Sequence, residues 1–383
     1  MNDTETAIAV DCDTHYWEPI ALWSEYVDPA FRDRVPRFVE DADGRLLVQV
    51  GEHIYPSASH HPGLARTYGP DETIYGPLLE GKTVAMDPVG RLKFMDSQRT
   101  DVHVIFPTLA MVGFSGVDDP ELAGALARAY NRFAHDFASA DRRRLRPAML
   151  APFNHPDQAI EEMTYARQNL GLNMVFANPT PPDNIPWSDA HFDQMWAAME
   201  DLGIVMCFHE SAVGAGPNTV GLSRYGGANR FLYLCAHTVE PQLAVMDVIL
   251  GGVIPHHPNL RVGLFEAHLS WLPGWLELLD HIGERYESAR PDSDLKPSEL
   301  FARQVFISTF PDDAGLADVI DRVGARNIVY SSDWPHKTME AAQLQRCTLA
   351  DFEARSDITA EQGETILRSN AEYWLDLVGA AAT

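Results

Sequence analysis

Short β-branched apolar runs alternate along this chain with longer stretches in which apolar residues recur at helical spacing. Eight such runs stand out: Ile8 to Asp13, Val102 to Phe106, Leu145 to Phe153, Met174 to Ala177, Ile204 to His209, Val262 to Ala267, Val305 to Phe310 and Ile328 to Ser332. Strand followed by helix, repeated, predicts an α/β protein with a parallel sheet. The helices carry their own punctuation. Asp119 and Pro120 precede a stretch in which Leu122, Leu126, Ala129, Tyr130, Phe133 and Phe137 share one face. Ser188 is expected to open a second helix, with Phe192, Met195, Trp196, Met199 and Leu202 on one side and Gly203 as its left-handed stop. Thr238 is expected to open a third that ends near Gly251. A capping box from Thr359 to Gln362 opens a last helix bearing Ile366, Leu367, Trp374 and Leu377.

One interval breaks the alternation. Residues 21–96 are far more chain than a crossover helix needs, and they contain the hairpin-like stretch GRLLVQVGEHIY. They are read as an inserted, partly β segment over one face. No short-period repeat and no Ser- or Gly-rich linker divides the rest, so residues 1–383 are expected to form a single domain. Apolar residues make up 45% of the chain and charged residues 22%, enough for a large core and far from disordered or fibrous compositions. The formal charge of −26 repels a phosphate backbone or an anionic bilayer, so neither nucleic acid nor membrane is an expected partner. Cys12, Cys207, Cys235 and Cys347 are far apart, without a C-x-x-C pair, and read as reduced. With no basic-then-apolar leader and no long apolar run, a cytoplasmic protein is expected.

Polar residues gather where the predicted strands end, in VDCDTHYWEP, FHES, FEAHLSW and SSDWPH. In a parallel barrel those ends converge on one face, where active sites of that architecture sit. Asp13 and His15 are two apart and project to one side of an extended strand, as paired metal ligands must. Spacing alone says little, since a turn carboxylate beside a hydrogen-bonded histidine gives the same letters. His209 and Asp333 add weight because each terminates a predicted strand. Two imidazoles and two carboxylates suit one divalent ion, Zn²⁺ first and Mn²⁺ second, with a position left for water or substrate. The glycine-rich GAGPNTVG lacks the strand, helix and lysine of a phosphate loop, and the adjacent pairs His60, His61 and His256, His257 point their side chains apart.

Taken together, VDCDTHYWEP, RLKFMDSQRTDVHVIFPT, LGLNMVFANP, GGVIPHHPNLRVGLFEAHLSWLP and NIVYSSDWPH resemble the amidohydrolase-related, metal-dependent family that includes aminocarboxymuconate-semialdehyde decarboxylase. The resemblance spans nearly the whole chain. It implies a (β/α)8 TIM barrel, with the large insertion after its first strand, and one metal held by His15, His209 and Asp333. The family's first-strand histidine pair begins at Asp13 here, as in some related aromatic-acid decarboxylases, and the changed charge favours a harder ion. The family's sixth-strand acid/base histidine falls on Glu266. His268 follows two residues later, on the same side if the strand stays extended, so either is a candidate proton carrier; Glu266 as the carboxylate that orients a ligand histidine is the alternative. NMVFANP carries no lysine to bridge a second metal. Trp17, Phe310 and Trp334 are candidates for an aromatic wall, His237 and His336 for the pocket lining, and Arg91, Arg99 or Arg224 for an anionic substrate. The expected activity is that of a metal-dependent lyase removing carboxylate from a small aromatic or unsaturated acid. The alternatives are a hydrolase of an amide, ester or lactone on the same site, and a catalytically silent, metal-stabilised binding subunit. The resemblance also implies a homodimer.

Overall fold

Eight parallel strands follow one another around a closed barrel: β1 (Ala9–His15), β2 (Thr100–Phe106), β3 (Leu145–Pro147), β4 (Met174–Ala177), β5 (Val205–His209), β6 (Arg261–Phe265), β7 (Val305–Thr309) and β8 (Ile328–Tyr330). This computed structural model describes residues 8–16, 18–19, 21–40, 46–51, 53–55, 84–108, 110, 117–209, 230–287, 291–335 and 348–377. Continuous ladders join β1, β2 and β3, and β4 through β8, in sequence order. Two short bridges close the ring. Met149 pairs with Val175, accepting from Phe176 N at 2.9 Å and donating to Met174 O at 2.8 Å. Thr14 pairs with Trp334; there His15 N donates to Trp334 O at 2.7 Å and Asp333 N to Asp13 O at 2.8 Å.

The predicted strands are all present, several with shorter ends. The third stops at Pro147 and not at Phe153, since proline has no N–H for the ladder and the chain turns into a loop within a few residues. Between β1 and β2 the hairpin signal is realised as an antiparallel sheet in which Leu46–Val50 pairs with both Arg37–Glu40 and His53–Tyr55. The helix after β2 spans Pro120–Ala138, with the Asp119 carboxylate accepting from Glu121 N and Leu122 N. Two helix starts differ from expectation. Asp189, not Ser188, caps the turn Ala190–Phe192 that leads into Asp193–Leu202; the Ser188 hydroxyl donates instead to Asp247 at 2.5 Å. Gly203 ends that helix at φ 64° as expected. Thr238 lies inside a helix that already runs from Arg230 to Leu250. The Thr359 to Gln362 capping box is present. Among the described residues, no helix is long and apolar enough to cross a membrane.

Alternation along the strands sorts the core into two bodies. Met206, Phe208, Val262, Leu264 and Ile307 pack outward beneath the helices. Val10, Cys12, Val104, Phe106, Phe176, Cys207, Phe265 and Phe306 belong to the second body, which includes the barrel interior. Filling that interior with phenylalanine rings requires a gap on β6. A Cβ at Gly263 would lie 2.5 Å from the Phe306 ring and 2.6 Å from the Phe265 ring. Gly263→Ala is therefore expected to displace both rings and lower stability by about 1–3 kcal/mol. Urea unfolding followed by circular dichroism reads the loss; an unchanged midpoint would show that the rings yield without cost.

Candidate metal centre

The ends of β1 and β5 and the segment just after β8 deliver polar residues to one buried point. The register of β1 against β2 shifts between Asp11 and Thr14. That irregularity lets successive residues face inward: Cys12 joins the apolar cluster of Cys207 and Phe265, while Asp13 reaches His209. His15 Nε2 stands 3.2 Å from Asp13 Oδ1 and 3.2 Å from Asp333 Oδ1. His209 Nε2 is 3.3 Å from the same Asp13 oxygen. Asp13, His15 and His209 offer ligand atoms that all lie within 4.8 Å of one another, and Asp333 joins them through His15. Beneath lies an aromatic floor, with the Phe106 ring 4.9 Å from both His209 and Phe265, and Phe176 6.0 Å from His209.

The electrostatics of this cluster call for a cation. His15 Nδ1 donates to the Pro107 carbonyl at 2.8 Å, which leaves the neutral ring's lone pair on Nε2, directed at two carboxylates. Burial opposes charge on His15, but the hydrogen bonds to Asp13 and Asp333 outweigh it and raise its pKa to about 10. Burial likewise opposes ionisation of Asp13, yet His209 and His15 hold its carboxyl below the usual range, and Asp13 in turn raises His209. Asp13 Oδ2 is buried with no hydrogen-bond partner among the described residues, an arrangement that carries a desolvation cost unless an ion is bound. Two imidazole nitrogens and two carboxylates meeting at one point fit a single divalent ion.

Beyond β6 the chain departs from the extended geometry assumed from sequence. The strand ends at Phe265, and Glu266 (φ 50°) and His268 (φ 47°) are both left-handed, as is Asp333 (φ 56°). Such conformations cost on the order of 1 kcal/mol each in L-residues and cluster at functional sites. Glu266 turns towards the cluster: its Oε2 is 3.3 Å from His237 Nε2 and 3.9 Å from His209 Nδ1. Burial opposes its ionisation, yet His237 and His209 together hold its carboxyl below the usual range. His268 instead places Nδ1 3.0 Å from Asp313 Oδ1 and packs against the edge of Phe310.

Other candidates fall elsewhere. Trp334 is buried, stacked on Phe94 at 4.4 Å with the Arg91 guanidinium over its ring, so it packs behind the site. Arg91 is no substrate ligand. It is wholly buried and donates to His15 O at 2.8 Å, Thr14 Oγ1 at 2.5 Å and His103 Nδ1 at 3.2 Å. Arg99 precedes β2, at the opposite end of the barrel, and pairs with Glu353. Trp17, Arg224, His336, the pair His60, His61 and GAGPNTVG lie outside the described residues. His256 and His257 do diverge, to Asp292 and Glu200. Residues not singled out from sequence are Asp11, Asp313 and His103. Asp11 accepts from Ser332 N at 3.0 Å and Ser332 Oγ at 2.5 Å, which fastens β1 to the segment that carries Asp333. Only its position two residues before Asp13 pointed to it.

A family model described as amidohydrolase matches residues 10–377 of the chain. The gamma-resorcylate decarboxylase of Rhizobium sp. (strain MTP-10005) is 24% identical over 306 residues, 76% of this chain and 87% of the relative. An amidohydrolase from Mycobacterium avium subsp. paratuberculosis K-10 superposes with a TM-score of 0.75 at 22% identity, over 97% of both chains. A dihydroxybenzoic acid decarboxylase from Polaromonas sp. JS666, solved with manganese and the inhibitor 2-nitroresorcinol, gives 0.70 at 16% identity over 98% of this chain and 99% of its own.

With a pKa of about 10, His15 is protonated at pH 7–9 in the metal-free protein, and an entering divalent ion displaces that proton. Affinity for Mn²⁺ is therefore expected to rise by about tenfold per pH unit over that range, with release of about one proton per ion. Calorimetry in buffers of different ionisation enthalpy measures both quantities. His209→Ala and Asp333→Ala are expected to lose the ion; retained stoichiometry in either, or pH-independent affinity, would contradict the assignment.

Proposed function

The chain belongs to the amidohydrolase family, and from that premise we propose that it is a metal-dependent lyase that removes carboxylate, as CO₂, from a small aromatic acid. The observation that carries this reading is the placement of Glu266, paired with His237 at 3.3 Å and 3.9 Å from His209. A proton carrier thus stands beside the four candidate ligands Asp13, His15, His209 and Asp333. The decarboxylases among its relatives act in the same sense.

A bound divalent ion supplies a Lewis-acidic anchor for substrate oxygens. The chain's own residues do the rest. The Glu266–His237 pair holds one proton and delivers it to the ring carbon that bears the carboxylate. The bond from that carbon to the carboxylate then breaks, its electron pair returns to the ring, and CO₂ leaves; solvent restores the proton to the pair. Phe106, Phe176 and Phe265 exclude water from below, which strengthens charge interactions above them. His268, turned to Asp313, is displaced from the proton-carrier role. Two carboxylates beside two imidazoles favour manganese over zinc in this site, in keeping with the manganese of the dihydroxybenzoic acid decarboxylase.

Glu266→Gln keeps the shape of the side chain without an exchangeable proton. It is expected to lower CO₂ release from a panel of hydroxybenzoates by about 10² to 10⁴ at unchanged metal content. A near-wild-type rate would move the role to another group, and product formed by uptake of water without CO₂ would favour the hydrolase. Asp13→His removes a negative charge from the ligand set and is expected to shift preference from Mn²⁺ towards Zn²⁺ in competition titrations. Identical preferences would mean that Asp13 does not touch the ion.

A further inference from the structure

A buried arginine is ordinarily paired with a carboxylate. Arg91 is wholly buried, yet its bonds go to a carbonyl, a hydroxyl and a ring nitrogen. It sits on the helix Pro88–Ser97, which starts at a proline behind the capping Asp87 and whose buried residues are Arg91 and Met95, one turn apart. The helix that closes the inserted segment thus docks on the barrel with a charge at its centre.

What that charge touches is the barrel seam. Nη1 donates to the His15 carbonyl at 2.8 Å and Nη2 to the Thr14 hydroxyl at 2.5 Å, which itself donates to Val104 O on β2 at 2.6 Å. Nε donates to His103 Nδ1 at 3.2 Å; burial and the guanidinium push the His103 pKa well below its ordinary value, so the ring stays neutral and accepts there. The guanidinium carbon lies 5.0 Å from the centre of the Trp334 ring, and Phe94, three residues further along the helix, stacks on the same ring at 4.4 Å and 20°. Trp334 directly follows Asp333. Its carbonyl accepts from His15 N at 2.7 Å, and Asp333 N donates to Asp13 O at 2.8 Å. One side chain therefore grips both edges of the joint that carries Asp13, His15 and Asp333, three of the four candidate ligands.

A divalent ion tolerates ligand distances only within about 0.2 Å of their preferred values, while the joint between β1 and the segment after β8 is an isolated bridge and not a ladder. A guanidinium suits the task of holding it, because its donors keep fixed angles to one another. We propose that Arg91 is a positioning residue for the metal centre, clamping the end of β1 to the segment of Asp333 so that their ligand atoms are gathered before the ion enters. The inference rests on the ligand assignment and is independent of the reaction. Its sign is distinctive. Loss of a nearby positive charge would by itself strengthen cation binding, whereas loss of the clamp weakens it.

The test titrates Mn²⁺ into chelator-stripped, full-length protein by calorimetry and records the visible spectrum of the Co²⁺-loaded form. Arg91→Lys keeps the charge without the fork and is expected to weaken Mn²⁺ binding by about tenfold; Arg91→Gln loses both and is expected to weaken it by about 10- to 100-fold, each with altered Co²⁺ band intensities. Thr14→Val removes only the hydroxyl that accepts from Arg91. It is expected to weaken binding by about 3- to 10-fold and carries the test if the arginine variants do not fold. Arg128→Gln breaks the ion pair with Glu162 between two outer helices, and is expected to lower stability while leaving Kd and spectrum unchanged. Tighter or unchanged Mn²⁺ binding in the Arg91 variants, or in Thr14→Val where it stands for them, overturns the inference, as does equal weakening in Arg128→Gln. Wild type that binds no Mn²⁺ overturns the ligand assignment itself, and the inference with it.

Discussion

Two buried carboxylates facing one imidazole nitrogen at 3.2 Å are the constraint on which this molecule turns. Like charges in a low-dielectric interior cannot stand together without a cation between them. The same residues close the barrel: Asp13, His15 and Asp333 take part in the backbone hydrogen bonds that join β8 to β1. The candidate metal centre and the barrel seam thus share residues, so charge balance at the site bears on architecture as well as chemistry. Behind the seam, Arg91 ties the His15 carbonyl and the Thr14 hydroxyl to His103 and lies over Trp334. Burial lowers its pKa to about 10, still well above neutral pH. It remains a fixed cation on the far side of the acidic cluster.

The fold was legible where local rules and tertiary demands agree. β2 and β4 through β8 carry β-branched or aromatic residues on both faces, because a parallel sheet is covered on both sides. The candidate ligands drew notice for a related reason: a polar residue at the end of such a run has no packing role, so Asp13, His15, His209 and Asp333 stand out against their neighbours. Gly203 and the Thr359 capping box are likewise local signals, and both appear where they were expected.

What was not legible depends on the path of the backbone or on distant partners. An alternating pattern does not report that β6 stops at Phe265, and the left-handed residues beyond it send Glu266 and His268 to different partners. Asp313 is 45 positions from the histidine it holds, and Arg91 is 76 from the His15 carbonyl; no local pattern encodes such pairings. Thr238 was expected to open a helix, but the preceding turns from Arg230 are already helical.

One divalent ion is expected between Asp13, His15, His209 and Asp333, where β1, β5 and the segment after β8 meet. Anomalous diffraction from crystals grown with Mn²⁺ tests it most directly. A single strong peak is expected within about 2.3 Å of oxygens of Asp13 and Asp333 and of Nε2 of His15 and His209. A peak at another position, or none between these four side chains at full manganese occupancy in solution, would contradict it.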